Sequence, residues 1–546
     1  MKECRENPAI LRLSLFTFLT VVLLALPAYG QSSYRAGNGG AAPLFDSRLS
    51  NSQQPRNGGE NTGILPQTDV RNAYSQQTGS PATEQTWNFQ DTSAAGSHHT
   101  RKTDSKAEIG MEMGMGMGMD SKPSSEDYES KLQELTEKVK ELEELNKPEN
   151  LSPFTADYKS GFRITPRDKK KTPFELKING RLQFRWDAFS RDTDTFTNRL
   201  GTIPVNSRND FEVERGRLEF KGFALDPSLK FYFNLDADTD DNHDVIFHDF
   251  WFDYDLTENA TVRVGKAKVP ASYEWLEAST TTRFADRSLS TTYFRADRSV
   301  GLWLLGSTDR LTYYQLAVTN GFVSTDLEPE DVDNNFAYTG LFYVDPLGDF
   351  GNGHSDLQFH TSPVVRLGSS FSYTNTNPLD DGSPNLEQNF ARVSDGAQLI
   401  STGALSPGVT INDFDQFFLS AFISGKWRGF SYNAEYYARW LQNFGTVEGT
   451  APGINELFDS GFYVDVGYFL VPGTFEVNGR VSQIDGLFGD TWEYAAGWNW
   501  FFKESHKSKL SFDATVLEGN PVGSSSPNFE VGQDGILYRL QYQIAF

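Results

Sequence analysis

Cysteine is almost missing: Cys4 is the single one in 546 residues, so neither a disulfide framework nor a thiolate metal centre can organise this chain. Long apolar runs are scarce too. Mean hydropathy is −0.50, and the stretch closest to a membrane helix, Leu13 to Leu26, is too short for a permanent span. A bundle of transmembrane helices is thereby excluded. Positive charge is in deficit, with 49 Lys+Arg against 73 Asp+Glu and a net −24. Affinity for a phosphate backbone comes from basic charge, so nucleic acid is not an expected partner. Catalytic signatures are also lacking. The seven His show neither HExxH nor another ligand spacing, and no glycine-rich phosphate loop precedes a helix. The carboxylate clusters lie in loops with no hydrophobic pocket to raise a pKa. No enzyme activity, cofactor or metal site is expected.

What the chain has is aromatic residues and glycine: Phe 43, Tyr 22, Trp 10 and Gly 47. That mix suits pleated strands and turns. The start reads as a secretory signal over 1–30, with Lys2, Arg5 and Arg12, the apolar run, then Ala28-Tyr29-Gly30. Cys4 precedes the apolar run, which argues against a lipoprotein anchor. Residues 31–123 are rich in Gln, Asn, Ser, Gly and Thr and cannot bury enough surface to offset ordering entropy, so they form a disordered spacer. Within it Met111, Met113, Met115, Met117 and Met119 alternate mainly with Gly, a flexible tract first and a soft-copper ligand set second. Over 124–147 the apolar positions Tyr128, Leu132, Leu135, Val139 and Leu142 follow a heptad spacing, with Pro148 ending the run. A short coiled coil is predicted, its oligomerisation seam being Leu132, Leu135, Val139 and Leu142, and at this length it needs a larger assembly to hold it. An amphipathic helix lying on its own domain is the alternative.

After Phe174 the period changes to two. Phe174, Leu176, Ile178, Leu182, Phe184 and Trp186 share one face, and Glu175, Lys177, Asn179, Arg181, Gln183 and Arg185 the other. Alternation over more than ten residues matches a tilted membrane strand. About sixteen such segments follow within 155–546, joined alternately by tight turns (Asp226-Pro227-Ser228, Thr257-Glu258-Asn259, Val471-Pro472-Gly473) and mostly longer loops (269–297, 321–334, 375–413, 443–459). The fold class is therefore all-β, a transmembrane antiparallel β-barrel of about 16 strands preceded by the spacer and the coiled coil. An even strand count puts both its ends in the periplasm. The last strand places Tyr538, Leu540, Tyr542, Ile544 and Phe546 on alternate positions, and its aromatic end resembles the insertion signal of outer-membrane barrels.

NGRLQFRWDAF from Asn179, FEVERGRLEFKG from Phe211, VRVGKAKVPASYEWLE from Val262 and YFLVPGTFEVNGR from Tyr468 resemble, in order and spacing, the phosphate-selective porin O and P family. The resemblance implies a homotrimer of sixteen-stranded barrels in outer-membrane lipid, each with a loop folded into its own channel. It also implies lumen arginines leading to lysines at a constriction that strip and hold phosphate. Arg181 falls on the family's G-R-L-Q position and Arg215 on the second of its paired arginines. The first of that pair is Glu214 here, and Arg217, two positions on, can share the side of Arg215. The segment matching the family's selectivity loop, Leu276 to Leu289, is shorter and has no lysine, so Arg283 or Arg287 is the substitute.

The polar faces put Lys177, Arg181, Arg185, Arg215, Arg217, Lys221, Lys230 and Arg263 on the lumen of neighbouring strands. Two readings stand beside each other. Guanidinium groups at a constriction favour anions, or the same groups pair with Glu175, Glu219, Asp236, Asp249 and Asp253 and brace the wall. Later strands add Arg439, Arg480 and Arg539 against Glu435, Asp465, Glu476 and Glu493. Loop carboxylates such as 236–244 and 326–333 make a negative mouth; Asp236, Asp238 and Asp240 mimic the start of a calcium loop but lack its central Gly and closing Glu. The expectation is an outer-membrane porin passing small anions, phosphate included. A sugar or cation pore with little anion preference is the runner-up, and a structural tether contacting the cell wall through the coiled coil is the reading from another class.

Overall fold

The computed structural model describes residues 125–145 and 152–546, apart from 240–244, 309–310, 324–326, 328, 381, 383–384, 448, 450 and 525–527. The predicted signal segment 1–30, the spacer 31–123 and its Met/Gly tract lie outside the described residues. Helix α1, Ser125–Leu145, covers the predicted heptads, and Tyr128, Leu132, Leu135, Val139 and Leu142 are all exposed along it.

Two-residue alternation produces strands wherever it was read. The short hairpin β1 (Phe154–Tyr158) and β2 (Phe162–Pro166) leads into β3 (Phe174–Arg191), and a second hairpin, β4 (Thr195–Asn198) and β5 (Gly201–Pro204), sits in the first loop. There follow β6 (Arg208–Ala224), β7 (Asp226–Asp236), β8 (Ile246–Thr257), β9 (Ala260–Lys268), β10 (Arg298–Ser307), β11 (Thr312–Thr319), β12 (Ala337–Val344) and β13 (Val364–Thr376). The chain finishes with β14 (Ile411–Trp427), β15 (Phe430–Thr446), β16 (Glu456–Val471), β17 (Phe475–Gly486), β18 (Gly489–Phe501), β19 (Ser508–Glu518) and β20 (Gly535–Ala545). Leaving out the two hairpins, sixteen strands pair antiparallel in sequence order, and β20 closes on β3 with Ala545 opposite Arg181. Neither hairpin was read from the sequence; β2 extends the edge of β3, with Phe162 opposite Ile178.

Burial along each strand is inverted relative to a water-soluble sheet. On β16, Phe458, Val464, Val466 and Tyr468 face outward and exposed, while Asp459, Tyr463 and Asp465 face inward and buried. A closed barrel with an apolar outside and a polar inside is the all-β solution for a bilayer, since it leaves no open edge. Exposed Trp427, Phe430, Tyr468, Trp500 and Tyr542 line one level near the chain-terminus end, as an interfacial aromatic row does.

Two departures from the expected loop rhythm matter. The β17–β18 connection, at the loop end, is only a tight turn. The β12–β13 connection, at the turn end, is long, running from Asp345 to Pro363. The interior also differs from a water-filled tube. Loop 269–297, which follows β9, is buried along almost its entire length and folds within the barrel. Helices α2 (Tyr273–Leu276) and α3 (Leu289–Phe294) lie in it. Leu289 and Phe294 pack with Phe418, Tyr437, Tyr463 and Leu537 into an apolar cluster inside the wall.

Candidate functional site

The inward loop is held by lumen carboxylates that grip its backbone. Ser272 caps α2, and Glu435 on β15 accepts from Tyr273 N at 2.8 Å and Glu274 N at 2.9 Å. Ser288 caps α3, Glu493 on β18 accepts from Leu289 N at 2.7 Å, and Ser482 on β17 accepts from Ser290 N at 3.0 Å. Between the helices Arg283 bonds Asp465 on β16, Ser431 at 2.6 Å and the His354 carbonyl at 2.9 Å, and pairs with Glu476 at 3.3 Å. Helix N-terminal N–H groups are natural partners for carboxylates. The acidic wall therefore positions the loop that narrows the channel.

Against the opposite wall the loop meets the basic face of β3 and β6. Asp286 lies 3.0 Å from Arg185, 2.7 Å from Arg215 and 3.9 Å from Arg287, one carboxylate shared by three guanidinium groups. Burial disfavours its charge, yet Arg215, Arg185 and Arg287 outweigh it and hold Asp286 well below the usual carboxylate range. The inward direction of Glu214 has a backbone cause. Arg215 sits opposite Gln183 but Val213 opposite Phe184, so Glu214 is the extra residue of a β-bulge. It is turned inward with Arg215 and pairs with Arg185 at 3.2 Å and Arg215 at 3.0 Å.

Beside this network four cations surround one buried indole. Lys268, Arg287, Arg295 and Arg298 lie 4.9, 4.8, 4.2 and 5.5 Å from the centre of the Trp275 ring. Lys268 donates to the carbonyls of Trp275 (2.6 Å), Leu276 (3.3 Å) and Glu277 (3.3 Å), and among the described residues no carboxylate reaches it within ion-pair distance. Arg287 donates to the carbonyls of Glu274 (3.1 Å), Trp275 (3.3 Å) and Glu277 (2.5 Å). Burial and neighbouring Arg215 push the Arg287 guanidinium down to about 9 against the pull of Asp286, which leaves it charged at neutral pH. Arg295 also lines a cavity of about 70 Å³ at the loop end, with Tyr293, Asp297, Phe390 and Arg392.

From the turn end the long connection 345–363 also folds inward. Its His354 N donates to Thr281 O at 3.2 Å, and Ser355 Oγ donates to Glu476 at 2.8 Å. Gly353, at φ +72°, lies against Thr281, where a side chain would crowd the loop. The two inward loops therefore touch each other.

Of the predicted lumen residues, Arg181, Arg185, Arg215, Arg217 and Arg263 are buried inside the wall, as are Arg283 and Arg287. Most are ion-paired, as the bracing alternative anticipates: Arg217 with Asp236 at 2.7 Å, Arg263 with Asp253 at 2.8 Å, and Arg181 hydrogen-bonded to Ser279 at 3.2 Å. Lys221 and Lys230 are about half exposed and pair with Glu219 and Asp255 at 3.6 and 2.7 Å, while Lys177 is half-buried in the same row. Later-strand arginines pair too, though partly with other acids than those expected: Arg439 with Asp459, Arg480 with Glu493 and Arg539 with Asp513. Sequence reading missed Lys268, Asp286, Arg295 and Arg298. Lys268 stands in the quoted VRVGKAKVP run, but strict alternation gave no hint that a loop helix would cover it.

The family model described as phosphate-selective porin O and P matches residues 181–544. Among solved structures, similarity extends to outer-membrane expressed OmpT of Vibrio cholerae, with TM-score 0.43, 10% identity, and cover of 68% of this chain and 98% of that one. It extends also to Salmonella typhi OmpF in complex with daunomycin (TM-score 0.42, 14% identity, 72% of this chain and 100% of that one). The outer membrane channel DcaP of Acinetobacter baumannii matches with TM-score 0.39 and 11% identity over 68% of this chain and 97% of that one. No curated protein matches the chain.

Proposed function

Because the chain belongs to the phosphate-selective porin O and P family, we propose that the outer-membrane channel it forms prefers small anions, phosphate among them. The observation that carries this is the density of guanidinium and ammonium groups around Asp286 and Trp275, where Arg185, Arg215 and Arg287 converge on Asp286, Glu214 also pairs with the first two, and Lys268 is held by carbonyls. Asp286 acts there as an internal stand-in for the travelling anion. When loop 269–297 shifts, phosphate oxygens take the place of its carboxylate on Arg185, Arg215 and Arg287, since the planar forks fit either group. Arg295 connects the mouth cavity to this cluster. Lys177, Arg181, Arg217, Lys221, Lys230, Arg263 and Arg283 supply background potential along the wall, mostly offset by their partners. The barrel assembles as a trimer with both its ends in the periplasm, and the α1 seam joins neighbouring copies there.

Planar-bilayer reversal potentials test the reading. Wild type should be anion-selective and blocked by phosphate, and Lys268→Gln with Arg287→Gln should lose most of that preference. Cation preference in the wild type, with no phosphate block, overturns it. A tether is the second reading, favoured by the exposed heptad seam. Deleting residues 31–150 would then abolish envelope attachment while leaving conductance intact.

A further inference from the structure

Three residues that the channel reading does not use meet where the two inward loops touch the wall. Glu274 comes from α2, His354 from the turn-end loop 345–363 and Asp465 from β16. One ligand atom of each can be chosen so that all three lie within 4.8 Å of one another. All three are buried, His354 to 1% exposure. His354 Nδ1 stands 3.2 Å from Asp465 Oδ2. That separation serves a hydrogen bond, and it equally matches the edge of a tetrahedral zinc site, about 3.3 Å when bonds are 2.0–2.1 Å.

The ring's other nitrogen, Nε2, is buried with no hydrogen-bond partner among the described residues, and so is the Tyr463 hydroxyl on the same strand as Asp465. Buried polar atoms normally find partners. A neutral imidazole offers one lone pair: presented from Nε2 it leaves the Nδ1–H on Asp465, and presented from Nδ1 it exchanges that hydrogen bond for a metal shared with Asp465. The carboxylates have room as well. Among the described residues Glu274 Oε1 receives only the Ser288 N–H at 3.4 Å, and Asp465 Oδ2 only the His354 ring. Arg283 and Asn433 are confined to the other oxygen of Asp465.

We propose that Glu274, His354 and Asp465 bind one divalent transition-metal ion, zinc by ligand type, which fastens loop 345–363 to loop 269–297 and to the barrel wall. One imidazole with two carboxylates suits zinc better than calcium or magnesium, which favour all-oxygen sites. The inference stands apart from anion preference, because none of the three residues belongs to the basic cluster.

Zn²⁺ is titrated into the purified full-length protein in detergent, and bound metal is counted after desalting. Wild type should retain one Zn²⁺ per chain more than His354→Gln. Zn²⁺ should raise the thermal midpoint of wild type and not that of the variant. His360→Gln, on the same loop but with its ring on Asp356, should behave as wild type. Equal metal content and equal thermal response in wild type and His354→Gln overturn the proposal. Asp465→Asn is run in parallel, with heat-dependent electrophoretic mobility to establish folding, so that one misfolded variant does not remove the comparison.

Discussion

Replacing Asp286 by Asn removes the charge that Arg185 and Arg215 hold at 3.0 and 2.7 Å while keeping the side chain's shape. Each charge contact, at about 4 Å between charge centres, is worth about 1 kcal/mol in water and about 4 kcal/mol at an effective dielectric of 20. Two lost contacts put the change at about 2 to 8 kcal/mol, and removing one partner of a buried pair typically costs about 3–5 kcal/mol. The variant should therefore unfold at a lower temperature in chloride. Phosphate should restore much of the loss, because an anion binding the native state alone at a hundred times its Kd returns about 2.7 kcal/mol. In bilayers the same variant should shift reversal potentials toward greater anion selectivity, since the cluster gains one unit of positive charge. Thermal scans in matched chloride and phosphate, followed by bilayer recording, make the test. An unchanged midpoint in both buffers together with an unchanged reversal potential would refute the role given to Asp286.

Glu387, in the loop between β13 and β14, accepts from Phe322 N at 2.5 Å and is pushed up to about 8 by burial, with Asp333 adding to the rise. Its folded value exceeds the unfolded one, near 4.5, so its contribution to loop packing is complete below pH about 4.5 and lost as pH rises toward about 8. Limited proteolysis of 377–410 should accelerate across that window in wild type and stay flat in Glu387→Gln. Gly180→Val sets a side chain into the Phe546 ring, and overpacking of about 1–3 kcal/mol at the barrel seam should reduce the fraction of heat-modifiable, folded protein; an unaffected fraction would show that the seam tolerates it. Leu135→Asp with Leu142→Asp strips two exposed seam positions of α1. At about 1.5–3 kcal/mol for each leucine buried in the proposed seam between copies, the proposed trimer should dissociate at higher protein concentration by mass photometry, with single-channel conductance retained.

Strand existence was legible because a bilayer outside and a polar lumen inside impose opposite demands on successive residues, as on β16. The bulge at Glu214 was not, since alternation counts residues and a bulge adds one. Its signal was present all the same: strict alternation would have aimed Glu214 into lipid beside Arg215, an expensive position for a charge. The inward face of the arginines was legible from alternation, but their carboxylate partners depend on register and on where loop 269–297 folds. Asp286 and Lys268 gained their roles only through that fold. Glu274, His354 and Asp465 share no local spacing, so a scan for linear ligand motifs passes over them. The inward course of 345–363 was hidden because a long connection at the turn end looks like any surface loop.

The clasp between the two ends of the barrel has a consequence for how this chain matures. Phe546 N donates to the carbonyl of Gly180 at 3.0 Å, and the Asn179 side chain, 367 residues earlier, donates to the Phe546 carbonyl at 3.0 Å. Joining ends so far apart costs about 5 kcal/mol of closure entropy from the logarithmic term alone, and no shorter fragment can make the contact. Ring completion thus waits until the segment around Phe546 is free to meet β3. Until then the edges of β3 and β20 are open to mispairing, so a variant cut before Tyr542 should accumulate as an aggregate or be degraded rather than settle as a smaller pore.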